Sequence, residues 1–190
     1  MRRLILASAS PRRRELLTQA GFTFEVRPAD VNEDIHREED PTSYVVRLAR
    51  NKAREAYEQV REPSAIVLGA DTTVTLDGHV LLKPEDGSDA IRMLRMLSGR
   101  THRVITGVAI TTASGTDVAA EVTGVQFRRL LEKEIVDYVA SGEPMDKAGA
   151  YGIQGYAARW IPRIEGCYFN VVGLPIALAC SMLERHLHES

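Results

Sequence analysis

The chain has 190 residues, enough for one domain or two closely joined lobes. Its formal net charge of −2 excludes a general nucleic-acid binder, which would be clearly basic. The two cysteines, Cys167 and Cys180, lack metal-type spacing and argue for reduced thiols in a cytoplasmic protein, and no apolar run is long enough for a secretory signal or a membrane span.

Leu4, Ile5, Leu6 and Ala7 form a short apolar run that predicts a buried strand. Ser10-Pro11 predicts a helix entry, since Ser caps free N–H groups and Pro suits the first helical position. Leu16, Leu17 and Ala20 give that helix an apolar face, and Gly21 ends it. Arg12, Arg13 and Arg14 fall in its first turn, where a helix already carries about half a positive charge. Such a cluster is either a solvated basic surface or, with Ser8, Ser10 and the free N–H groups, a cradle for phosphate.

Residues 22–26 alternate like a strand, and the acidic run around Glu33 is either an exposed loop or a source of oxygen ligands for a hard cation. Thr42 opens a long helix to about Val60, with Val45, Leu48, Ala49, Ala53 and Ala56 at helical period. Lys52 interrupts this stripe, lying between Leu48 and Ala56 at about 100° per residue. It either snorkels to water or aims its ammonium at an anionic ligand or a carboxylate. Residues 65–70 predict a second buried strand ending in Asp71, the place where open α/β sheets put their sites. Asp77-Gly78 predicts a two-residue hairpin turn between 72–76 and 79–82. Counting back from it places Leu76 opposite His79 and Lys83 next to Thr72, diagonal to Asp71. A weak surface salt bridge is the competing use of Lys83.

Ser88 predicts the cap of a helix reaching Leu97; strands follow over 102–112 and 118–128, then a helix over 132–140. His102, a lone histidine at a strand start, fits a structural place better than a catalytic one. Three glycines within 146–155 imply backbone lying close against a neighbour, and Gln154 there can both donate to and accept from a base edge. Residues 159–164 and 167–172 read as a further hairpin around Glu165-Gly166, and Pro175 opens a last helix.

Arg, Lys and paired carboxylates are the groups that phosphoryl chemistry needs: cations neutralise phosphate charge, and a carboxylate orients or deprotonates water. No P-loop, dinucleotide fingerprint or G-x-S-x-G element occurs, which argues against a nucleotide motor, a dehydrogenase and an α/β-hydrolase.

The segments LASASPRRRELL at 6–17, VVRLARNKA at 45–53, LGADT at 68–72, LLKP at 81–84, LSGRTH at 97–102 and DKAGAYGIQG at 146–155, with Glu33, carry a resemblance over essentially the whole chain. By them the sequence resembles the Maf family of nucleoside triphosphate pyrophosphatases. The resemblance implies a mixed α/β fold similar to that of inosine triphosphate pyrophosphatases. A twisted sheet flanked by helices would form two lobes about a central cleft, with residues 1–190 as a single domain. It also implies cleavage of a nucleoside triphosphate to the monophosphate and pyrophosphate with Mg²⁺, Mn²⁺ or Co²⁺, as house-cleaning of nucleotide pools. Arg12, Thr72 and Gln154 look like the branch acting on dTTP and UTP, with modified pyrimidine nucleotides as further substrates; the 7-methyl-GTP branch typically has Trp, Gln and Glu there. By analogy Asp71 would be the proton acceptor, with Lys52 and Lys83 as its catalytic companions. Ser8 and Arg13, with those two lysines, would hold the triphosphate. Glu33 and Asp71 would hold the metal, and Arg12, Thr72 and Gln154 would select the base. A homodimer is the default oligomer. The rivals are a phosphatase or purine (7-methyl-GTP-type) pyrophosphatase on the same scaffold, and a non-catalytic regulator of cell division. Lys52 on an apolar stripe argues against the last.

Overall fold

The computed structural model describes residues 2–187, which form seven strands and six α-helices. In chain order they are β1 (Arg3–Leu6), α1 (Pro11–Gln19), β2 (Glu25–Val26), α2 (Pro41–Val60), β3 (Ala65–Leu76), β4 (His79–Leu81) and α3 (Gly87–Leu97). The remainder are β5 (Thr101–Thr112), β6 (Gly115–Gln126), α4 (Glu132–Ala140), β7 (Arg163–Glu165), α5 (Tyr168–Val172) and α6 (Ile176–Leu187). The strands bond in the order β2-β1-β3-β5-β6-β7, with β4 added to β3, a mixed α/β architecture as expected. Contacts divide the chain into two compact units. The first holds the residues up to Thr72, Thr106–Glu121 and those from Gly173 on; the second holds Thr73–Ile105 and Val122–Val172.

In the first unit β1 pairs in parallel with both β2 and β3. Parallel neighbours need crossovers, and α1 and α2 supply them. Ser10 caps α1 by accepting from the Arg13 N–H, as its sequence predicts. The cap of α2 is Asp40, which accepts from Thr42 and Ser43 N–H, so the helix starts at Pro41 rather than Thr42. The expected strand over 22–26 is reduced to the exposed pair Glu25–Val26, which lies on the sheet edge with one partner. Ile5, Ala49, Ala53, Ala56 and Val67 form the core beneath α2. Two glycines bring that helix down onto the strands. A Cβ on Gly69 of β3 would lie 2.3 Å from the Ala49 carbonyl oxygen, and one on Gly107 of β5 would lie 2.4 Å from that of Val45.

Asp71 does not end a strand. β3 is one continuous strand of 12 residues, pairing with β1 over Ala65–Leu68 and antiparallel with β4 over Val74–Leu76. Asp71 falls between these two ladders, just past the carboxyl end of β1. The strands read separately over 65–70 and 72–76 are joined, because the backbone stays extended through Asp71, Thr72 and Thr73 and places alternate side chains on opposite faces.

In the second unit the hairpin forms as read, with Asp77 and Gly78 at φ 51° and 80° and Leu76 opposite His79. Asp86, not Ser88, caps α3, accepting from the Asp89 N–H at 2.8 Å. A core of Leu94, Leu97, Phe127, Tyr138, Tyr151 and Trp160 packs α3 and α4 against the strands. The hairpin expected around Glu165-Gly166 is absent. Ile164 pairs with Val125 of β6 instead, and residues 168–172 are helical. The buried Asn170 side chain explains this: it donates to the Val104 carbonyl at 3.0 Å and to Thr123 Oγ1 at 2.9 Å, replacing the ladder bonds a strand would have made.

Candidate active site

Gly69 and Asp71 are two residues apart on β3 and so share a face, the one on which α2 lies. Lys52, three residues after Ala49, is therefore delivered to Asp71. Its ammonium lies 2.7 Å from Asp71 Oδ1 and 2.6 Å from Glu33 Oε1. Lys52 and Asp71 are nearly enclosed, with side chains 12% and 13% exposed, whereas Glu33 reaches in from the surface at 54%. Of the two uses the sequence leaves open for Lys52, the ammonium has met carboxylates.

The segment bearing Glu33 has no regular structure, and α2 holds it by its carbonyls. The Tyr44 hydroxyl donates to the Glu33 carbonyl at 2.9 Å, and Arg47 Nη2 donates to that of Asp34 at 2.8 Å. Arg47 is itself fixed by a bidentate pair with Glu39. Burial pushes the Tyr44 hydroxyl up to about 12, and the charges of Asp71 and Glu33 push the same way, so it stays a donor. Tyr44, Leu48 and Lys52 recur at four-residue spacing, a signal that could have found Tyr44 in the sequence.

Thr72 leaves the opposite face of β3 and meets Arg13. The Arg13 guanidinium donates from Nε to the Gly173 carbonyl at 2.8 Å, from Nη1 to Ser8 Oγ at 3.2 Å, and from Nη2 to Thr72 Oγ1 at 3.0 Å. These bonds engage three of its five donors. Burial lowers its pKa, Asp71 opposes that lowering, and Arg12 adds to it, so both arginines and the Asp71 carboxylate share one electrostatic neighbourhood. Thr72 Oγ1 also lies 2.9 Å from Thr106 Oγ1 and 3.3 Å from the Gly173 oxygen. Thr106 and Gly173 were not legible as site residues.

The first unit thus gathers Ser8, Arg12, Arg13, Glu33, Lys52, Asp71 and Thr72. Lys83 and Gln154 belong to the second unit and are exposed there. Lys83 lies two residues past the last pair of β4, Val74 with Leu81. His102 is buried, with Nε2 2.7 Å from the Tyr151 hydroxyl and its ring edge-on to Phe127, the structural place its sequence suggested.

Arginines and a lysine beside a carboxylate pair can grip a polyphosphate and direct water at it. Among the described residues no group of three or more His, Cys, Asp or Glu could hold a metal. Glu33 and Asp71 remain a two-carboxylate set, and a hard ion such as Mg²⁺ is commonly held by one or two carboxylates plus water and substrate phosphate. The oxygens suit such an ion, and in this structure one of each carboxylate binds the Lys52 ammonium.

A family profile described as Maf-like protein matches residues 3–186. A protein of Koribacter versatilis named dTTP/UTP pyrophosphatase is 54% identical over 182 residues, covering 96% of this chain and 93% of that protein. One of Symbiobacterium thermophilum with the same name is 53% identical over 183 residues, covering 96% and 93%. One of a Geobacillus species, also so named, is 48% identical over 185 residues, covering 97% and 98%.

Proposed function

This chain belongs to the Maf family, and from that premise we propose that it is a nucleotide hydrolase cleaving dTTP and UTP to the nucleoside monophosphate and pyrophosphate. The observation that carries the reading is the ammonium of Lys52 held between Glu33 and Asp71, whose carboxylate also acts electrostatically on a guanidinium already oriented by Ser8, Thr72 and Gly173.

In this reading Asp71 accepts a proton from the attacking water, the water oxygen bonds to the α-phosphorus, and the bond from that phosphorus to the α–β bridging oxygen breaks, the bridging oxygen leaving with pyrophosphate. Lys52 holds the Asp71 carboxylate in place and offsets phosphate charge. Arg13, with Ser8 beside it, takes phosphate oxygens, and Lys83 adds a further cation. Arg12, Thr72 and Gln154 select the base, and Thr72 also seats Arg13. Glu33 and Asp71 would hold Mg²⁺, Mn²⁺ or Co²⁺, which when bound neutralises phosphate charge and polarises the phosphoryl group. Both cysteines are free thiols, which suits a cytoplasmic enzyme; no helix among the described residues is long and apolar enough to cross a membrane.

The test is to incubate the protein with dTTP, UTP, CTP, dGTP and 7-methyl-GTP in each metal and score pyrophosphate against free phosphate. Pyrophosphate from dTTP and UTP is expected. Asp71→Asn should lower turnover by about 10³-fold or more while the circular dichroism spectrum is kept. Free phosphate as the product, or full activity of that variant, would overturn the reading.

A further inference from the structure

Gln154 sits in a tight turn closed by the Gly155 N–H, which donates to the Gly152 carbonyl at 3.1 Å. Both ends of this turn are anchored. Upstream, the buried Tyr151 hydroxyl meets His102 Nε2. Downstream, the Tyr156 N–H donates to Glu143 Oε1 at 3.1 Å, and the same oxygen accepts from the Tyr138 hydroxyl at 3.0 Å. The Tyr138 and Tyr156 rings stack with centroids 5.7 Å apart. Glu143 is half-buried, and no cation pairs with its carboxylate among the described residues, so surface ion pairing does not account for it. The turn lies hard against its supports. A Cβ on Gly152 would come within 2.8 Å of Lys147 Cε, and one on Gly155 within 1.8 Å of Glu143 Oε1. Lys147 also donates to the Glu143 carbonyl at 2.6 Å, tying the two supports together.

We propose that Glu143 is a positioning residue for base selection: its carboxylate, shared between the Tyr138 hydroxyl and the Tyr156 N–H, fixes the turn from which Gln154 reads the nucleobase. This rests on the reading of Gln154 given above. Gly155 belongs to the same device. Its φ of −99° suits any residue, so glycine is required there by the carboxylate it lies against and not by the backbone. A methyl group at 155 would force the Glu143 carboxylate aside and release Tyr156.

The test compares Glu143→Ala, Glu143→Gln, Gly155→Ala and Gln154→Ala with the parent, using UTP against CTP and amide hydrogen exchange over 152–156. Glu143→Ala should raise KM for UTP about tenfold with kcat changed far less, lower the UTP preference by a similar factor, and speed exchange in the turn. Gly155→Ala should behave alike. Glu143→Gln keeps a carbonyl oxygen able to accept both bonds and should retain the preference. Unchanged exchange in Glu143→Ala overturns the clamp whatever the activity. Faster exchange with an unchanged preference overturns its link to base selection. A Gln154→Ala variant that keeps the preference overturns the base reading itself, and the proposal with it.

Discussion

Arg13 shows how much of the site depends on geometry that lysine cannot copy. Its planar fork reaches a carbonyl, a serine and a threonine at once. A single ammonium on a flexible stem satisfies fewer acceptors and offers a substrate phosphate no oriented edge. Arg13→Lys should therefore raise KM for UTP and lower kcat/KM by roughly 10–100-fold, the loss of about one or two charge-assisted bonds. Steady-state kinetics, with a circular dichroism spectrum showing the fold kept, would check this. Arg13, Ser8 and Ser10 were legible because the cap and the arginine cluster lie in one short stretch. Thr106 and Gly173 were not, because they meet Thr72 from 34 and 101 residues away. Lys52 was legible as a charge on an apolar stripe, but which carboxylates it meets needed the fold.

At the scale of elements, the decisive contact is α2 against β3 and β5. The close approach at Gly69 and Gly107 is backbone against backbone, so no flexible side chain can yield. Gly69→Ala should destabilise the protein by about 3 kcal/mol, at the upper end of ordinary overpacking, and should lower activity by lifting Lys52 from Asp71. Urea unfolding gives the first effect and pyrophosphate release the second; Gly124→Ala, at a glycine without positive φ whose Cβ would meet nothing nearer than 3.8 Å, controls for general loss of glycine freedom. The Asp77-Gly78 hairpin and α4 were readable because turn chemistry and helical period are local signals. The continuity of β3 through Asp71 was not, since polarity at a site mimics polarity in a loop. Residues 168–172 were misread because what makes them helical is Asn170 bonding to residues 47 and 66 positions away.

For the molecule as a whole, the buried ring of His102 contributes to the loss of stability in mild acid. Burial pushes its pKa down from 6.5 to about 4. The unfolded chain takes up this proton below pH 6.5, whereas the folded chain does so only near 4. Stability is therefore full above pH 6.5 and is lost progressively as pH falls toward 4, by up to about 3 kcal/mol. His102→Gln should start less stable, having lost its ring contacts, but should show a flatter slope of unfolding free energy across that window; an unchanged slope would assign the acid loss to other groups. The mixed sheet and the family were legible because the motifs span the whole chain, and the borders of the two units were not, because they cut through β3, β5 and β6. One bond spans almost the full length of the polypeptide: Arg13 waits for the carbonyl of Gly173, 160 residues later. During translation that carbonyl leaves the ribosome 160 residues after the guanidinium that needs it. A prematurely terminated product ending after Gln154 would carry every proposed reactive side chain yet lack the acceptor that orients the guanidinium.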